Sequence, residues 1–127
     1  MNCERHSVTV TTSDGSGTGY SESAIGEIEQ IRYVPDDTAA FDASINVAVT
    51  LEDTGVVVWT EAAFDGSAAA TRRPAHACHS AEDGGGLTYD GANPVTDDVV
   101  VAHERIKIEV TNAGAGSRTG TFEIWVA

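Results

Sequence analysis

Lysine is almost missing from this chain: of its 127 residues Lys107 is the one lysine, and seven basic residues face 20 acidic ones, for a formal charge of −13. That imbalance argues against free nucleic acid or an anionic membrane as partner, since either would repel the chain in bulk. Long apolar runs are also missing, so no segment reads as a bilayer-spanning helix. The opening residues Met1 to Arg5 lack the apolar centre of a secretory leader, which predicts a product that acts where it is made. Cysteine is limited to Cys3 and Cys78, which without an export signal read as reduced thiols. Aromatics make up 6% and are scattered, which fits core or interface packing better than a base-stacking platform.

What is present is a strand-forming vocabulary. Apolar residues reach 41%, enough for one modest core in a single domain of this length. The acids recur in every part of the chain, as in a solvated shell on a folded body, and suit a salty medium in which repulsion is screened.

Ser7 to Thr12 alternates apolar and polar and runs into the turn-rich Asp14–Gly19, so residues 1–18 read as a hairpin or a flexible arm. Ile25 to Val34 has isoleucines at three-residue spacing, which fits a short helix, but its β-branched and aromatic content favours a strand with a bulge. Asp42–Leu51 is the clearest strand, with Ile45, Val47, Val49 and Leu51 on one face. Glu52–Gly55 supplies turn chemistry, and Val56–Trp59 returns as the second arm of a hairpin. From Thr60 to Asp98 the pattern fails, and a stretch that long is usually functional or docked on a partner. Val99–Thr111 and Thr119–Val126 then read as strands around a Gly/Asn turn. The whole predicts an all-β fold: one domain over 1–127, an antiparallel β-sandwich or jelly-roll, with a long irregular loop region.

No constellation for catalysis emerges, and the chain reads as a non-enzyme without cofactor. Ser7 beside His6 and Ser80 beside His79 have no nucleophile elbow, and adjacent strand residues point to opposite faces. Cys3, His6, Cys78 and His79 are zinc-competent side chains, but neither segment has a zinc-finger or zinc-ribbon spacing. Asp36-Asp37 and Asp97-Asp98 match no calcium-loop pattern. Trp59 and Trp125 sit within strand patterns, which places them in the core. What stands out is a gap in the acids. None occurs between Asp65 and Glu82, while Arg72, Arg73, His76 and His79 do. With Pro74 these residues form a candidate docking segment for a carboxylate-bearing partner, the alternative being pairing with the chain's own acids.

Several segments, in order, resemble a family. They are Gly26–Tyr33, the Asp42–Leu51 strand with Thr54-Gly55, Arg72-Arg73-Pro74, Pro94–Asp97, His103–Ile108 and Gly114–Thr121. From about Gly19 to Ala127 the chain is similar to small virion structural proteins of tailed phages and prophages encoded among head-assembly genes. That resemblance implies a capsid decoration (cement) protein on the virion head surface, made in the host cytoplasm. Its implied partners are the major capsid protein and neighbouring copies of itself, with a trimer as the typical oligomer. An edge strand of an open sandwich would be available for pairing with another chain. The alternatives are a head–tail connector, neck or tail component, and, from another class, a carbohydrate-binding or host-adhesion module.

Overall fold

The computed structural model describes residues 3–80 and 82–127, and no helix occurs among them. Eight strands follow in chain order: β1 (Glu4–Ser13), β2 (Gly17–Pro35), β3 (Ile45–Leu51), β4 (Val57–Phe64), β5 (Ala70–Arg72), β6 (Ala75–Ala77), β7 (Thr96–Thr111) and β8 (Ser117–Val126). Every pairing is antiparallel, in the order β1-β8-β2-β7-β3-β4, with β5 added to β2 and β6 to β7.

The sheet turns back on itself through β2. The first part of that strand pairs with β7, from Gly17 opposite Val110 to Ile28 opposite Val99. The second part pairs with β8, from Ile28 opposite Val126 to Pro35 opposite Gly120. The change of partner falls beside Gly26, whose φ of +132° suits glycine, and whose missing Cβ would lie 2.3 Å from the Ala127 carbonyl oxygen. One layer therefore holds β1, β8, the later half of β2 and β5; the other holds the earlier half of β2, β7, β3 and β4. The β1–β2 hairpin opens across the two layers: at Gly19 a Cβ would come within 2.9 Å of Val8 and 3.0 Å of Val10. The fold is all-β and sandwich-like, as the strand patterns predict.

Between the layers lies the core. Alternation delivers Ile45, Val47, Val49 and Leu51 from β3, Ile106, Ile108 and Val110 from β7, and Phe122, Ile124 and Val126 from β8, all at most 2% exposed. Each such side chain contributes about 1.5–3 kcal/mol relative to leaving it in water. Tyr33 is central, its ring 5.0–6.0 Å from those of Phe41, Phe64 and Phe122, and its hydroxyl donates a 2.7 Å hydrogen bond to the Gly66 carbonyl.

Two sequence expectations change. The strand beginning near Val57 runs on through Phe64, because Phe64 pairs with Ile45 and is buried in the core, so irregularity starts later than Thr60. Beyond it the chain is short-range structure rather than open loop. β5 and β6 add to larger strands, and Cys78 N–H to Val95 O, Leu87 N–H to Cys78 O and Val95 N–H to Leu87 O tie residues 78–95 into a small lobe. Trp125 also departs from expectation: with Ile124 and Val126 inward, its side chain falls on the outer face.

Candidate functional site

The acid-free interval does not make a basic surface in space. Arg72 on β5 lies opposite Ile31 and reaches to the other layer, where its guanidinium forms a two-bond pair with Glu61 of β4 (2.8 and 2.9 Å). The same guanidinium lies 5.2 Å from the Phe64 ring centroid and 5.9 Å from that of Trp59. Hydrogen bonding to Arg72 holds the Glu61 carboxyl below its usual range and raises the Arg72 guanidinium in turn. Arg72 is thus a clasp between the open edges of the two layers. His76 sits on β6 opposite Asp97, and Ala75 opposite Asp98, so carboxylates from β7 stand beside the acid-free segment. His76 and His79 are exposed, and Pro74 is buried.

Arg73 behaves differently from its neighbour. It is exposed and has no ion-pair partner among the described residues. It lines a cleft of about 420 Å³ together with Pro74, Ala75, Cys3, Glu29, Gln30, Asp98 and Trp125. One wall is the outer face of the β2–β8 ladder, where Gln30 stands opposite Trp125. The other is the segment between β5 and β6. A guanidinium, two carboxylates, an amide and an indole face one space of the size typical for bound small groups or short chain segments.

Glu29 and Asp98 also belong, with Glu27, to a group whose carboxylate oxygens lie within 4.8 Å of one another. No other metal-competent group of three or more occurs among the described residues, so Cys3, His6, Cys78 and His79 are not brought together. Both cysteines are free thiols, Cys3 exposed and Cys78 half-buried. His6 Nε2 lies 3.4 Å from a Glu4 carboxylate oxygen without a hydrogen bond of acceptable geometry.

Sequence reasoning missed Glu29, Gln30, Asp98 and Trp125. For Trp125 the signal was there, since strict alternation in β8 turns it outward once Phe122 and Ile124 are inward. For Glu29 and Asp98 it was not: their meeting depends on the β2–β7 register, and in so acidic a chain no pair of acids stands out.

No family model matches this chain, and no curated protein does. A solved structure titled "Crystal Structure of FLHE" aligns over 99% of this chain and 98% of that one, at 9% identity and a TM-score of 0.42. A likeness of that degree carries neither fold nor function across. The capsid decoration reading is corrected on these findings: the match is to FlhE rather than to any virion protein, and no virion family matches. The connector and glycan-binding alternatives fall with it. The capsid partner and head-surface location were implied by that reading alone.

Proposed function

We propose that the chain is a non-catalytic recognition domain that holds an extended, mixed-charge segment of a partner protein in the cleft between β8 and Arg73–Ala75. The carrying observation is Arg73: a guanidinium without an ion-pair partner, on the wall of a cleft that also holds Trp125, in a chain where Arg72, Arg105 and Arg118 are each paired with an acid. Arg73 suits a carboxylate, Glu29 and Asp98 suit a basic side chain, and Trp125 with Pro74 offers apolar contact between them. No histidine, serine or lysine lines the space, which favours holding over turnover.

Panning a random peptide library tests this, with the wild type as target and an Arg73→Glu/Trp125→Ala double variant as counter-target. Enriched peptides should carry both charge signs and bind each single variant at least tenfold more weakly by calorimetry. Peptides that bind the double variant as tightly as wild type, or no enrichment over it, would overturn the reading.

A further inference from the structure

The two ends of the sheet are guarded very differently. At one end, β4 has two register irregularities against β3, a positive φ at Ala63, and Arg72 laid against it. Such features break the straight row of backbone groups that another strand would need. β5 and β6 have three residues each. At the other end, β1 pairs with β8 over ten residues, Glu4 opposite Val126 through Ser13 opposite Ser117, without a bulge. Apart from the Ser13–Ser16 bridge at its hairpin, β8 is its ladder partner among the described residues. Its outer edge thus presents a regular row of unpaired N–H and C=O groups.

None of the usual protection is there. β1 contains no proline and no lysine, and Ser7–Ser13 carries no charge at all. In a chain of net charge −13, seven consecutive neutral residues on an open edge form the place where two copies meet with least repulsion.

We infer that two copies of this chain pair antiparallel through β1, joining their sheets across a two-fold axis. Opposed residues must share a face, which allows a register centred on Thr9. That register sets Val8 opposite the partner's Val10, Ser7 opposite the partner's Thr11, and Arg5 opposite the partner's Ser13. Every opposed pair is then aliphatic, hydroxylic, polar or of single charge, with no like charges facing. On the outer face the Thr9–Thr121 and Thr11–Thr119 pairs, each with hydroxyls 3.4 Å apart, would continue across the axis as a band of threonine and serine. This association uses the end of the sheet and is independent of the cleft.

Sedimentation velocity over a concentration series in 2 M KCl tests it, salt being present to screen the net charge. Wild type should reach twice the 13.2 kDa chain mass. Thr9→Lys, which puts two like charges at the axis on an exposed position, should weaken self-association at least tenfold with an unchanged thermal midpoint. Should Thr9→Lys fold poorly, Thr9→Cys in a Cys3→Ala/Cys78→Ala background should give a disulfide-linked dimer on mild oxidation, while exposed Ser67→Cys in that background should not. A wild type that stays monomeric at high concentration, a Thr9→Lys protein that dimerises as well as wild type, or equal cross-linking at both cysteine positions would overturn the inference.

Discussion

Adjacent arginines with opposite fates make the sharpest test of the structure. Replacing Arg72 by Ala removes the Glu61 pair, the contact with the Phe64 and Trp59 rings, and the burial of the side-chain stem. The pair is about one-third exposed on both sides, 37% and 33%, so it is discounted to at most about 0.5–1 kcal/mol. The guanidinium over the rings adds about 0.5–1 kcal/mol and the part-buried methylenes about 1 kcal/mol. Together these put Arg72→Ala at about 2 kcal/mol, which for a chain of this length is a fall of about 7 °C in thermal midpoint. Arg73→Ala, which breaks no ion pair, should stay within about 0.5 kcal/mol of wild type. The pH dependence has a fixed sign. Glu61 is held below its ordinary range in the fold, so its share of the stability is present above the unfolded carboxyl value of about 4.3 and is lost as pH falls through the lowered value. The gap between wild type and Arg72→Ala should therefore narrow in acid. Urea melts at pH 7 and pH 3 on the three proteins would measure it. Equal midpoints for Arg72→Ala and Arg73→Ala, or a gap that widens in acid, would refute the clasp.

Two further outcomes follow from the core and from the charge. Burial, with the Asp65 charge adding, pushes the Tyr33 phenol far above the usual tyrosine range, whereas Tyr20 and Tyr89 are exposed. Of the three tyrosines only two should ionise in the folded protein by absorbance near pH 11. Stability should be full below about pH 10 and decline as pH rises beyond it, because the unfolded phenol ionises first. Tyr33→Phe should remove that decline and cost about 1–2 kcal/mol by leaving the Gly66 carbonyl unpaired; an unchanged alkaline profile would count against the burial. The thermal midpoint of wild type should rise between 0.1 and 2 M KCl, since screening relieves repulsion among 20 acids more than it weakens the few surface pairs. A midpoint that falls steadily with salt would show that the pairs outweigh the repulsion.

The parts of the fold that were legible in the sequence are those where one strand's own alternation decides its faces. β3 is the clear case: its four inward residues are the four that alternate. β2 was ambiguous between helix and strand for a physical reason. Ile28 and Ile31 are three apart yet both buried, because the register shift between Ile28 and Gln30 inserts a residue and restores the face. Ile25, the third member of that apparent helical series, is 59% exposed. A bulge reads like a helical repeat until the neighbouring strands are known. The cleft was less legible still, because its walls come from β2, β7, β8 and the segment between β5 and β6. Only pairing register brings those together.

Charge shows the same limit in another form. Along the chain, residues 66–81 are a break in the acids; in space, Glu61, Glu29, Asp97 and Asp98 close that break from β4, β2 and β7. The opposite holds for Ser7–Ser13, whose neutrality in sequence is also neutrality at an edge of the sheet, since β8 brings only serine, threonine, glycine, phenylalanine, arginine and Glu123 opposite it. An acid-free segment among strands thus becomes an exposed basic site only if no paired strand supplies the missing carboxylates. A charge-free segment on the last strand of a sheet has no neighbour on one side to supply them. That asymmetry is why, of the two gaps in the charge pattern, the neutral edge of β1 is the one that points to self-association, while the arginine-bearing gap contributes one unpaired guanidinium rather than a basic surface.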